Sequence, residues 1–212
     1  MDKEISARQF STYAWKSGFQ TLLLPLRDRL ISHGVSANQI TVATVALCVL
    51  FSLLFVLQLI VLQMTATLGL ILLPFFLLLR MALNALDGMV AKHTNSCSPK
   101  GQVFNELGDV IADLFLFGGF LILLSNHIIP WALLMLLGLL IEFTSLALIP
   151  ALGQRPNQGP FGKSDRAVYL GVLAVLLLVL SQSHWLVQTY IWIGIVLALL
   201  TFTNRLNLLE AN

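Results

Sequence analysis

The chain has 212 residues, 58% of them hydrophobic, and only 22 are charged; a soluble domain of this length carries about 53. That balance excludes an ordinary water-soluble enzyme and a disordered chain, because a soluble fold cannot hide so much apolar surface. The net charge of +2 informs only through its distribution, and the two cysteines, Cys48 in an apolar run and Cys97 in a polar loop, make neither a disulfide framework nor a zinc site.

Near the N-terminus, Phe19, Leu22, Leu23, Leu26 and Leu30 recur at helical spacing, with Arg27, Asp28 and Arg29 off the stripe. This predicts an amphipathic helix over about 15–35, lying on the cytoplasmic membrane surface, with Pro25 as a point of kinking. A docking helix for another protein is the alternative. The first long apolar run starts near Ile40, too far in for a cleavable signal peptide. From there six stretches approach the 20 apolar residues that a span needs: about 40–62, 67–91, 102–124, 129–152, 166–183 and 185–202. They do not alternate as barrel strands do. The fold class is therefore all-α: one polytopic membrane domain over 1–212, with six transmembrane helices and the N-terminal interfacial helix.

The loops set the orientation. Those near 63–66, 125–128 and 182–184 hold no Lys or Arg. Lys3, Arg8, Lys16, Arg27, Arg29, Lys92, Lys100, Arg155, Lys163, Arg166 and Arg205 all fall on the other face. The positive-inside rule makes that face cytoplasmic, with both termini inside. The expected location is a bacterial inner (plasma) membrane, and no nucleic-acid partner is expected.

Ionisable residues inside spans are costly and mark function or pairing. Here they gather in the second and third spans: Arg80, Asn84 and Asp87, then Gln102, Asn105, Glu106, Asp109 and Asp113. At 100° per residue, 80, 84, 87 and 91 share about 60° of one face, and 102, 105, 106, 109 and 113 about 100° of the other. The short loop 93–100 makes the two helices an antiparallel hairpin. Counting about 1.5 Å per residue pairs Asp87 with Asn105, Asn84 with Asp109, and Arg80 with Asp113 at increasing depth. The two shallow rungs hold oxygen donors only, as a hard divalent cation such as Mg²⁺ requires. Asp113 reads either as an ion-pair partner of Arg80 or as a further ligand. Glu142, in the fourth span, competes for Arg80 or approaches the site, and Glu106 faces the pocket or the headgroups. Gly88 and Ala91, beside the ligands, leave room for a phosphate or for helix packing. Interhelical polar glue is the bland reading of the whole cluster.

These residues resemble a family. CDP-alcohol phosphatidyltransferases share the pattern D-x-x-D-G-x-x-A-R-x8-G-x3-D-x3-D. Here Asn84-Ala85-Leu86-Asp87-Gly88-Met89-Val90-Ala91-Lys92 is followed, after eight residues, by Gly101-Gln102-Val103-Phe104-Asn105-Glu106-Leu107-Gly108-Asp109. Asn38-Gln39-Ile40-Thr41 is similar to the family's P-N-x-x-T start of the first span, with Ala37 in place of proline, and Gly162-Lys163-Ser164-Asp165-Arg166 to its basic stretch before the fifth. The resemblance runs from about Gly34 to Leu170. A second register takes Asp109 and Asp113 as the D-x-x-x-D pair but loses Gly101.

The resemblance implies a transferase that moves a phosphatidyl-type group from a CDP-linked lipid to a polar alcohol with release of CMP, in phospholipid biosynthesis. It implies Asp109 as general base and Mg²⁺ or Mn²⁺, two ions, held by Asn84, Asp87, Asn105, Asp109 and Asp113. Asn38, Thr41, Gly88, Ala91, Lys92 and Gly101 would bind the CDP and its phosphates. Lys163 and Arg166 would bind the phosphate of the acceptor or of CDP, or serve only as topology charges. A homodimer in the lipid bilayer is the implied assembly. The departures are Asn84, Asn105 and Lys92 where the family has Asp, Asp and Arg. The matched positions carry −2 instead of about −4, which weakens the second metal site. A family member that binds CDP-lipid without transfer is therefore the alternative, followed by a small membrane transporter. The transporter is disfavoured because the polar groups cluster on one side of the membrane. Gly159–Ser164 is no P-loop, since Asn157 stands at the first glycine and no strand precedes it.

Overall fold

A computed structural model describes residues 13–62, 65–153, 155–156, 159–180 and 184–209. Among them there is no β-strand, and the all-α expectation holds. The helices are α1 (Tyr13–Ser32), α2 (Ala37–Ile60), α3 (Thr67–His93), α4 (Pro99–Leu123), α5 (Ile128–Ala147), α6 (Ile149–Leu152), α7 (Lys163–Val179) and α8 (His184–Leu206). Four segments are long and apolar enough to cross a membrane: Ala37–Ile60, Thr67–His93, Ser125–Ala147 and Trp185–Leu209. The third and fifth predicted spans are helices too, but α4 carries Lys100, Glu106, Asp109 and Asp113, and α7 has only 17 residues. The fourth predicted span is interrupted near 148. Pro150 lacks the N–H that would continue α5, and it sits instead in the first turn of the short α6. The end of the predicted fifth span, 181–183, lies outside the described residues.

The chain folds as two compact units. The first contains residues 13–47 and 78–109. Its core is Leu23, Ile40, Leu86 and Val90, with Phe19, Leu30, Ile31 and Val35 packed against them. Part of the α1 stripe therefore faces protein, while Leu22 (75% exposed) and Leu26 (45%) point outward. Pro25 lies inside α1. The helix ends at Gly34, whose φ of 73° permits the Val35 N–H to reach the Leu30 carbonyl at 3.0 Å, a left-handed cap that suits glycine. The start of α2 is a reciprocal cap: the Ser36 N–H donates to Gln39 Oε1 (2.8 Å) and the Gln39 N–H to Ser36 Oγ (3.3 Å). At the start of α4, Ser98 Oγ accepts the Gly101 N–H, and Pro99 occupies the first helical position. α2 and α4 approach closely at Gly108, where a Cβ would stand 3.1 Å from methyl groups of Thr41 and Val45.

The second unit contains residues 48–77 and 110–209. Phe117 stacks on Trp131 at 5.3 Å, and the indole N–H donates to the Phe117 carbonyl. α5 packs along α8. α7 and α8 are joined by Tyr169 and Tyr190, stacked at 4.4 Å, each hydroxyl donating to the other's carbonyl at 2.9 Å. Gly159, with φ 116°, starts the approach to α7. Phe161 then donates its N–H to Thr201 Oγ1 on α8 at 2.8 Å.

Candidate active site

In the first unit the motif residues converge. Asp87, six residues before the end of α3, is 3% exposed and Thr41 5%. The Thr41 hydroxyl donates to Asp87 Oδ2 at 3.0 Å. Asn84, one turn back on the same face, donates from Nδ2 to Asp109 Oδ1 at 2.6 Å. The amide nitrogen is the sensible partner there, since an amide oxygen at that distance would oppose a carboxylate oxygen. Arg80, one further turn along, brings Nη2 to 3.7 Å from the same Asp109 oxygen, with both side chains buried. Thus Asp87 and Asp109 are buried carboxylates held by donors from separate helices, as groups removed from water require.

Around them the chain opens. Gly88 is exposed, and a Cβ added there would meet nothing within 4 Å, so this glycine does not serve a close helix contact. Asn38 is exposed, and its Oδ1 would lie 3.7 Å from a Cβ at Gly101; these two residues are neighbours across the starts of α2 and α4. Lys92 is exposed, and Ala91 and Asn105 are half-buried. Glu106 is buried, 6% exposed.

The second unit holds its own charged cluster. Arg166, 2% exposed, donates from Nε (2.9 Å) and Nη2 (2.6 Å) to Asp113 Oδ2. Its Nη2 is also 2.9 Å from Glu142 Oε1. The other Glu142 oxygen pairs with Arg155. Arg205 Nη1 donates to the Ile141 carbonyl at 3.0 Å and to the Ser145 hydroxyl. The Gly162 N–H donates to Asp165 Oδ2 at 3.0 Å, which caps α7. Lys163, the first residue of α7, is half-buried. The sequence placed Asp113 between a ligand role and Arg80; the structure adds Arg166 as a partner of Asp113. Glu142, considered for Arg80 or the site, engages Arg155 and Arg166. Depth counting paired Asn84 with Asp109, as the 2.6 Å bond has it, but missed the Arg80–Asp109 approach, because it does not count the reach of an arginine side chain. It also missed the close contact at Gly108, whose signal was a small residue directly before Asp109.

The family profile of CDP-alcohol phosphatidyltransferase matches residues 34–200, which include every motif position named above. The chain belongs to the CDP-alcohol phosphatidyltransferase family. It is 38% identical over 195 residues to the inner membrane protein YnbA of Escherichia coli K12, covering 91% of this chain and 93% of that protein. Among solved structures it resembles the phosphatidylinositol phosphate synthase PgsA1 of Mycobacterium tuberculosis. The form with CDP-DAG bound matches with a TM-score of 0.67 at 21% identity, over 86% of this chain and 90% of that chain. The form with manganese and citrate matches with the same score and identity, over 88% of each. At that identity the likeness speaks for the fold. Family membership makes this a multi-pass membrane protein of the transferase type, built for phosphatidyl transfer in phospholipid biosynthesis.

Within the family pattern, the donor set at the first unit is oxygen only. Among the described residues no three His, Cys, Asp or Glu side chains converge as a metal site. Two carboxylates and the amide oxygens of Asn84 and Asn105 suit one hard dication better than two.

Proposed function

We propose that this protein transfers a phosphatidyl-type group from a CDP-linked lipid to a polar alcohol, releasing CMP, at the cytoplasmic face of a bacterial inner membrane. The observation that carries this reading is the pair of buried carboxylates, Asp87 on Thr41 and Asp109 on Asn84 and Arg80, at the motif positions. Asp109 accepts the proton of the acceptor hydroxyl. The acceptor oxygen attacks the phosphorus on the lipid side, the bond to the CMP phosphate breaks, and CMP leaves. Asn38, Gly88, Ala91, Lys92 and Gly101 bound the space for the CDP phosphates. Thr41 acts on that space through Asp87. Lys92 meets a phosphate as a point charge. Lys163 and Arg166 serve the acceptor side. Asn84, Asp87, Asn105 and Asp109 would hold Mg²⁺ or Mn²⁺, which supplies neutralisation of charge on the leaving phosphate; Asp113 is left to Arg166. Six spans, both termini in the cytoplasm, α1 lying along the interface and a homodimer complete the reading.

One observation favours binding without transfer. The Asn84 amide occupies the Asp109 oxygen at 2.6 Å, a place where a second carboxylate would call for a cation. One experiment decides between the two. The purified protein in lipid nanodiscs is given CDP-diacylglycerol, a panel of alcohols and Mg²⁺ or Mn²⁺, and CMP is measured. The transfer reading expects metal-dependent CMP, falling about 10²- to 10⁴-fold in Asp109→Asn. CDP-lipid binding without CMP supports the other reading, and activity untouched by Asp109→Asn would falsify the role of Asp109.

A further inference from the structure

Among the described residues, the first unit buries four ionisable side chains: Arg80, Asp87, Glu106 and Asp109. Three carboxylates and one guanidinium sum to −2. One dication brings that sum to zero. A second would leave +2 in a desolvated setting, where uncompensated charge is costly. Carboxylates at positions 84 and 105 would take the sum to about −4, which two dications match. Asp113 leaves the balance as it is, because Arg166 pairs with it in the second unit. Lys92 is exposed, so water and salt screen it.

The guanidinium stands where a second ion would have to work. Asp109 Oδ1 accepts the Asn84 amide N–H at 2.6 Å and lies 3.7 Å from Arg80 Nη2. Mg²⁺ sits about 2.1 Å from its oxygen ligands. An ion on that oxygen would displace the amide and stand no more than about 6 Å from the Arg80 nitrogen. Arginine cannot shed its charge to relieve the repulsion. The two asparagines and Arg80 thus form one set: two negative charges fewer, and a fixed cation beside Asp109.

We propose that this site takes one divalent ion and that Arg80 stands in for a second, balancing and orienting Asp109 as a positioning residue. This rests on the metal-assisted transfer reading above. The test counts Mn²⁺ per chain by calorimetry and by paramagnetic resonance in phosphatidylcholine nanodiscs, with and without CDP-diacylglycerol, after subtraction of protein-free discs. The wild type is expected to bind one ion in both conditions. Asn84→Asp alone stays at one ion, because Arg80 still stands beside the Asp109 carboxylate. Asn84→Asp combined with Arg80→Gln takes two. A wild type that binds two ions, or none, overturns the proposal. So does a second ion in Asn84→Asp alone, or a single ion in the folded double variant. If the double variant does not fold, the wild type and Asn84→Asp decide. CMP release gives a separate readout: Arg80→Gln is expected to fall about 10- to 100-fold, and Arg80→Lys, which keeps the charge, to recover most of that loss. An equal loss in both variants overturns the positioning by charge. If the wild type yields no CMP, the transfer reading fails, and the ion counts still decide this proposal.

Discussion

Replacing Thr41 by valine removes one hydroxyl and keeps the side chain's shape. The hydroxyl lies 3.0 Å from Asp87 Oδ2 and 3.2 Å from the Ala37 carbonyl. It has one proton for two acceptors, and the nearer, charged one prevails. Hydrogen bonds to charged groups contribute about 1.5–3 kcal/mol in soluble proteins, and polar contacts inside membranes about 0.6 on average with a maximum near 1.7. A loss of about 1–2 kcal/mol is therefore expected in Thr41→Val. Packing does not add to it, because valine keeps the methyl group that lies against Gly108. The larger effect falls on chemistry. Asp87 loses the donor that fixes its orientation, and losing such a partner of a metal-binding carboxylate costs about 10- to 100-fold in metal affinity or activity. The assay is a Mg²⁺ titration of CMP release beside a thermal unfolding curve in the same nanodiscs. Thr41→Val should move the metal midpoint upward, and Thr41→Ser, which retains the hydroxyl, should stay near wild type. A valine variant with an unchanged midpoint refutes the positioning of Asp87 by Thr41, as does a serine variant that behaves like valine.

Two glycines test packing against open space. Gly88→Ala places its Cβ where nothing lies within 4 Å, so stability should hold or rise by about 0.5–1 kcal/mol. If the donor's phosphates use that space, KM for the CDP-lipid rises while the unfolding curve does not fall. Gly194→Ala meets the Tyr169 ring, with atoms at 2.6, 2.7 and 2.9 Å. That ring is fixed by stacking and by two hydrogen bonds with Tyr190, so a destabilisation of about 1–3 kcal/mol is expected. An unchanged unfolding midpoint would show that the tyrosine clamp yields.

The helical class was legible in the sequence because long apolar runs without alternation leave no other solution in lipid. So was the concentration of polar groups on α3 and α4, since their spacing is that of one helix face. Local stops were legible in principle: Ser36 and Gln39 form a reciprocal cap, and Pro150 interrupts the fourth predicted span. Partner choice was legible only in part. Depth counting paired Asn84 with Asp109, as the 2.6 Å bond has it, but it did not report that Arg80 also comes within 3.7 Å of Asp109 or that Arg166 pairs with Asp113. Arg166 is 53 residues from Asp113 in sequence, and no periodicity within one helix reports such a contact. The α1 stripe was read as one surface for lipid, but Leu23 turns to protein and Leu22 away from it. A helical stripe shows which residues are apolar, not which of two apolar neighbours each one meets.

The two asparagines take on a physical meaning once the partners are known. A buried carboxylate needs compensation from a cation, a metal or hydrogen-bond donors. In the second unit Asp113 and Glu142 receive it from guanidinium groups. In the first unit Asp109 receives part of it from Arg80 and part from the Asn84 amide. An aspartate at position 84 would set a second negative charge against Asp109 at hydrogen-bond distance and call for a cation or a shared proton between them. Asparagine removes that obligation while still offering a carbonyl oxygen. The site can thus remain folded without a metal, and its dependence on metal should appear in turnover sooner than in stability.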